Sequence, residues 1–165
     1  MKKQKWTVWL LFAAFLLSGC SFFPQTIQKP VSFYYISAEP EYGSETGYIC
    51  PEARETAGIL SEQEILSVYL AGPISEELIS PFPEGSTILQ LYNAGSITNI
   101  SLSPHFKELK GIKLITAGGC FAKTVMELTG CDTVIFTVEG GFEDISGPLT
   151  FRKNDMIFSD FEHAS

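Results

Sequence analysis

Cysteine, histidine and carboxylate are the residue types in this sequence that could carry chemistry, and their spacing decides which chemistry is open. There are four cysteines and two histidines. A thiol enzyme needs a base within hydrogen-bond reach of its sulfur. His163 falls in the last three residues, where chain ends fray. His105 stands at the start of a predicted helix that also carries Cys120. The residues between them put about 20 Å of helical rise between imidazole and thiol. The positive end of the helix dipole also disfavours a charged imidazole at His105. Cys–His catalysis is therefore not expected. Glu76, Glu77 and Glu84 read as a solvated face, and nothing singles out a glycosidase-like pair of acids. Gly140-Gly141 lacks the Lys-Ser/Thr and the helix that a phosphate-cradling loop requires.

Three of the cysteines, Cys50, Cys120 and Cys131, contain no CxxC spacing, and two histidines do not complete a zinc set. An odd number cannot pair fully. Helical rise of about 12 Å separates Cys120 from Cys131, well beyond the roughly 7 Å that a disulfide spans between Cα atoms. A bridge from Cys50 to either stays open. The reading is that all three are small buried hydrophobes. No catalytic residue, no metal ligand and no cofactor is expected.

The fourth cysteine is different. Met1 to Trp6 is cationic, and residues 7–17 are an apolar run, Thr-Val-Trp-Leu-Leu-Phe-Ala-Ala-Phe-Leu-Leu. Such a helix spans about 16 Å, short of a hydrocarbon core of about 30 Å. It reads as a signal peptide, residues 1–19. Leu17-Ser18-Gly19-Cys20 resembles the bacterial lipobox, in which the cysteine is lipidated and becomes the first residue of the mature chain. The resemblance implies a diacylglycerol thioether on Cys20, with acyl groups such as palmitate. Two chains anchor stably where one holds only marginally. Residues 20–30 form the lipidated cysteine and a short linker with Pro24 and Pro30. Such a linker reaches at most about 35 Å, which keeps residues 31–165 beside the membrane.

Charge narrows the partners. Lys and Arg total 11 and Asp and Glu 19; without Lys2, Lys3 and Lys5 the mature chain carries a net charge of −11. Such a chain repels phosphate backbones, so nucleic acid is not an expected partner. It also gains nothing from an anionic membrane surface, so attachment rests on the lipid.

Periodicity and punctuation give the supporting elements. Residues 31–37 and, more weakly, 47–55 read as strands, with Pro51 placing the second at an edge or bulge. Ser61-Glu62-Gln63-Glu64 is a capping box. Ile65, Leu66, Tyr69 and Leu70 follow at helical spacing until Gly72-Pro73 stops the helix. Residues 74–82 are a connector with room for one helical turn. Residues 87–93, with Leu89 and Leu91 on one face, and 97–102, with Thr98, Ile100 and Leu102 on one face, form a hairpin. A long helix is predicted over about 106–128, with Ser103 as cap and Pro104 in the first turn. It carries two apolar stripes, one of Ile112, Ile115, Gly119, Ala122 and Met126, the other of Leu114, Ala117, Phe121, Val125 and Leu128. Gly118-Gly119 costs it about 1 kcal/mol per glycine. Close packing must compensate, or the helix starts late or kinks at those two glycines. Residues 132–138 are a strand, and 149–151 with 156–158 a last hairpin. The order is β-β-α-β-β-α-β. It predicts an α+β fold with two helices packed on one face of a mixed, mainly antiparallel sheet.

Four segments then resemble the GerMN domain, a sporulation and spore germination module of bacterial envelope proteins. They are Leu70-Ala71-Gly72-Pro73, the run from Phe82 to Leu89 with its Pro83-Glu84-Gly85, Ile100-Ser101-Leu102-Ser103 with Phe106 following, and Val138-Glu139-Gly140. Glu52 and Arg54 fit the acid and arginine typical near that family's second strand. Ser101 replaces the usual acid, and Gly118-Gly119-Cys120 interrupts a usually continuous helix. Each landmark also has a purely structural reading as punctuation. The resemblance implies no enzyme. It implies a lipid-anchored interaction or scaffold module on the extracytoplasmic face of the cell membrane, acting in sporulation, germination or envelope assembly. Envelope proteins are the expected partners, exposed edge strands would suit strand-to-strand contacts with them, and self-association is a further expectation. The alternatives are a small ligand-binding or envelope-stress lipoprotein and, more remotely, a cell-envelope hydrolase.

Overall fold

The computed structural model describes residues 30–39, 48–56 and 60–156. The signal segment 1–19, Cys20, most of the linker, His163 and residues 157–158 of the expected last hairpin lie outside the described residues. The order is β1 (Val31–Ser37), β2 (Ile49–Arg54), α1 (Glu62–Leu70), β3 (Leu78–Ile79), β4 (Ile88–Ala94), β5 (Ile97–Leu102), a 3-10 helix (Pro104–Glu108), α2 (Gly111–Thr129), β6 (Thr133–Val138) and β7 (Leu149–Arg152). The α+β class and both helices are as expected. The capping box is fully formed: the Glu64 amide donates to Ser61 Oγ, and the Ser61 amide donates to the Glu64 carboxylate.

The strands form two sheets where one was expected. One is antiparallel, in the order β2-β1-β3; the other runs β4-β5-β6-β7. In the second, β5 and β6 are parallel and the outer pairs antiparallel. A parallel pair needs a long crossover, and α2 supplies it. The split has a local cause. One edge of β1 pairs with β2 along Val31 to Ile36, whereas the other meets β3 only at Ile36 and Ser37. Further along that second edge, the Tyr34 amide donates to the Thr124 hydroxyl of α2 at 3.0 Å, so a helix stands where a strand would continue the sheet. Strand β3 occupies the connector thought to hold a helical turn.

An aromatic chain joins the sheets. Tyr69 of α1 packs on Phe33 and Tyr35 of β1, with ring centroids 5.2 and 5.0 Å apart, and on Phe121 of α2 at 5.6 Å. Phe121 lies 5.0 Å from Phe136 of β6, which meets Phe151 of β7 at 6.1 Å. Such pairs each contribute about 0.5–1.5 kcal/mol beyond the area they bury. Phe33, Tyr34 and Tyr35 are buried in succession, so β1 is covered on both faces.

The long helix starts later than predicted. Residues 104–108 are 3-10, and Gly111 has φ of +52°, outside the right-handed helical range, which separates them from α2. Ser103 caps neither; its hydroxyl accepts instead from the Thr87 amide at 3.0 Å. Ile112 and Ile115 leave the expected apolar stripe, at 77% and 47% exposure, while Thr124 is buried between α2 and β1. Leu89 also leaves its predicted face, because a bulge between Ile88 and Gln90 turns it outward and puts Leu91 inward with Ile88. Close packing explains Gly118. A Cβ there would come within 2.6 Å of the Phe151 ring and 3.0 Å of Leu149, so only glycine lets β7 lie against α2.

Candidate functional site

Two regions carry polar or open chemistry, and they differ in kind. The first is a clasp between β2 and the end of α1. Antiparallel register sets Glu52 opposite Phe33 and Arg54 opposite Val31, so both charged side chains share the core-facing side of β1. The pair is nearly sealed, with side-chain exposures of 13% and 11%. Arg54 Nε donates to Glu52 at 2.6 Å, and Nη2 donates to the Gly72 carbonyl at 2.7 Å. The guanidinium also lies over the Phe33 and Tyr35 rings, at 5.1 and 5.8 Å from their centroids. Glu52 Oε1 accepts from the Ile74 and Ser75 amides at 3.0 and 2.8 Å. The Tyr35 hydroxyl donates to the Tyr69 carbonyl at 2.8 Å. The carbonyls at the end of α1 and the amides after Pro73 thus have side-chain partners.

Electrostatics agree with this geometry. Burial pushes the Glu52 carboxyl up, but the Ser75 amide, Arg54 and the Ile74 amide together outweigh it and hold Glu52 below the usual carboxylate value. Burial holds the Tyr35 and Tyr69 hydroxyls well above the tyrosine range, so they are hydrogen-bonding groups and not acids. Among the described residues no buried side-chain nitrogen or oxygen lacks a hydrogen-bond partner. A network of this sort positions backbone at the end of α1.

The remaining family landmarks are structural too. In the turn after Phe82, the Ser86 amide and hydroxyl both donate to the Pro83 carbonyl. The Thr87 amide and carbonyl bond Ser103 on the neighbouring strand's end. Gly85 has φ of +79° and lies beneath His105, whose Nε2 would stand 3.1 Å from an added Cβ. At the end of β6 the Glu139 amide donates to the Leu102 carbonyl. Gly140, with φ of +80°, leaves space taken by the Lys107 ammonium.

The thiols and His105 do not meet as a nucleophile and base. Cys120 is fully buried, and burial pushes its thiol up to about 12, so thiolate is scarce at neutral pH. Cys131 is buried and Cys50 half-buried, and no disulfide joins the three. His105 Nδ1 shares a hydrogen bond of 3.3 Å with Ser103 Oγ, the oxygen already holding the Thr87 amide. Among the described residues no group of three His, Cys, Asp or Glu side chains could hold a metal ion, and no helix is long and apolar enough to cross a membrane.

The second region is an open cleft of about 320 Å³ between α2 and β7. Ile115, Thr116 and Gly119 of α2, Phe151 of β7, Met156 and Ile49 of β2 line it, with Arg152 and Asp155 among its charged residues. Those two are paired with each other at 3.5 Å and are 64% and 67% exposed. A small-molecule site is usually marked by a few convergent polar groups, whereas the charged pair here is exposed and bonded to itself. No motif marked this cleft in the sequence; the one signal was isoleucine at 115 in a helix whose apolar face turns elsewhere.

No family model matches the sequence, and no curated protein matches it significantly. Solved structures do. The first GerMN domain of the sporulation protein GerM from Bacillus subtilis superposes with a TM-score of 0.53 at 17% identity, over 73% of this chain and 96% of that one. The tandem GerMN domains of the same protein give 0.54 at 15% identity, over 77% of this chain and 47% of that one, so this chain spans about half of the tandem. A lipoprotein candidate from Clostridium perfringens superposes at 0.42 with 20% identity, over 77% of this chain and 89% of that one, too loosely to assign a fold. The fold is that of a GerMN domain.

Proposed function

We propose that this chain is a non-catalytic interaction module, held by a lipid on Cys20 at the extracytoplasmic face of the cell membrane and serving sporulation, germination or envelope assembly. The observation that carries the reading is the GerMN fold, shared with domains of a sporulation protein. Support comes from the structural roles of several residues in the family-like segments. Glu52, Arg54, Gly72, Gly85 and Gly140 all hold backbone in place, which leaves surfaces as the means of action. The lipobox-like Leu17-Ser18-Gly19-Cys20 supplies the anchor, and the surplus of acids removes charge as a second one.

Membrane fractionation tests the anchor. The natural chain should sediment with membranes and take up labelled palmitate. Cys20→Ala should do neither; retention of Cys20→Ala in the membrane fraction would refute the anchor. Deleting the gene in its own bacterium should lower the yield of heat-resistant spores, their germination or envelope integrity, and a deletion strain normal in all three would sink the role. Crosslinking in intact cells should yield envelope proteins.

A further inference from the structure

We propose that the cleft beside β7 binds an extended polypeptide segment of a partner protein as a fifth strand on the β4-β5-β6-β7 sheet, with one bulky apolar side chain seated between α2 and Ile49. The inference rests on the interaction-module reading and names the kind of partner.

Alternation of the backbone carries the argument. The Lys153 amide donates to the Asp132 carbonyl at 2.9 Å, so the odd-numbered residues of β7 face β6. The Thr133 amide donates to Ser96 and the Glu139 amide to Leu102, so the odd-numbered residues of β6 face β5 and its even-numbered ones face β7, which agrees. The amides and carbonyls of Thr150 and Arg152 therefore point away from the sheet. The Arg152 carbonyl is taken by the Asp155 and Met156 amides of the following turn. The Thr150 amide and carbonyl and the Arg152 amide have no partner among the described residues, and Thr150 and Arg152 both line the cleft.

An unpaired strand edge beside an apolar cleft is a template for strand addition. Only a polypeptide backbone offers donors and acceptors at the spacing of the edge, and its alternate side chains point into and out of the cleft. The volume suits one large side chain against Ile115, Phe151 and Met156. Across the gap stands Ile49, the first residue of β2, which is an edge strand of the other sheet among the described residues.

The test uses the full lipidated chain in detergent micelles. The probe is an acetylated peptide alternating threonine with valine around a central phenylalanine. Titration followed by nuclear magnetic resonance should shift signals of Ile49, Ile115, Gly119 and Thr150 and slow exchange of the Thr150 amide. Thr150→Pro removes the outward donor while leaving the bonds to β6, and should weaken binding about tenfold or more. Ile115→Asp should weaken it similarly, and Glu84→Gln, remote from the cleft, should not. If Thr150→Pro fails to fold, a peptide N-methylated at alternate residues makes the same test from the ligand's side. Equal binding by the methylated peptide, or none by the parent, overturns the proposal. So does a dimer that Thr150→Pro dissolves, since the occupant would then be a second copy. Photocrosslinks from position 150 to residues 157–165 of the same molecule would identify the chain's own end as occupant and overturn it equally. The outcomes are separable: Cys20→Ala remaining on membranes refutes the anchor and leaves peptide binding standing, whereas failed binding with normal release refutes the cleft alone.

Discussion

The clasp around Arg54 and the cleft beside β7 are opposites built on one fold. In the clasp, charged side chains at 11–13% exposure are bonded to each other and to backbone, and sit where the family landmarks cluster. In the cleft, the charged pair is about two-thirds exposed, and among the described residues the outward amide and carbonyl of Thr150 have no partner. The family-like segments thus fall in the region that holds the chain together. The cleft carries no motif.

Breaking the clasp should have the largest effect. Arg54→Ala leaves Glu52 without its cation and the Gly72 carbonyl without a donor. Unfolding in urea should show a loss of about 3 kcal/mol, as for other nearly buried pairs cut on one side. Arg54→Lys should recover only part, because a lysine cannot reach both acceptors in the same fork. A loss below about 1 kcal/mol would mean the two regions differ in appearance only.

Beside the cleft, Gly118→Ala should cost about 1–3 kcal/mol through overpacking, partly offset by up to about 1 kcal/mol of helix propensity. The added methyl must displace Phe151, and that residue lines the cleft. Thermal unfolding reads the stability and peptide titration reads the shape of the site. Unchanged titration would separate Gly118 from the cleft.

At the far end of α1 from the clasp, Ser61→Ala removes the capping box and should cost about 1 kcal/mol in a urea titration. A larger loss would show that the helix depends on its start more than on the clasp at its end.

The smallest effect is in pH. Glu52 is held below the usual carboxylate value of 4.5. A depressed native value adds stability above the unfolded-state value, and this is lost as pH falls through the native one. The stability difference between the natural chain and Glu52→Gln should therefore shrink below about pH 4.5 and stay level near neutrality. A difference that grows on acidification contradicts the assignment.

Much of this was legible in the residues, and the failures have physical reasons. Strand β1, the capped helix α1 and the β4-β5 hairpin follow from period and punctuation, because local chemistry decides them. The late start of α2 escaped because Ser103 looks like a cap, while its hydroxyl serves Thr87 sixteen residues away. Strand β3 has two residues and so no period to read. The division into two sheets turns on where Thr124 meets β1, a contact across ninety positions. Gly118-Gly119 announced a close approach without naming the partner. The cleft was invisible for the same reason: an open edge is set by which strands fail to arrive. Glu52 and Arg54 were singled out, but their bonding to the end of α1 required the fold.

The position of β1 has a mechanical side. It is the middle strand of its sheet and the first element after residues 20–30. Under the proposed anchor on Cys20, a pull from the membrane would run along β1 and load its bonds to β2 in shear, together, instead of peeling them singly. Resistance to such a pull is a matter of unfolding rate. With the proposed lipid on Cys20, β1 would thus meet such a load as a whole strand and not bond by bond.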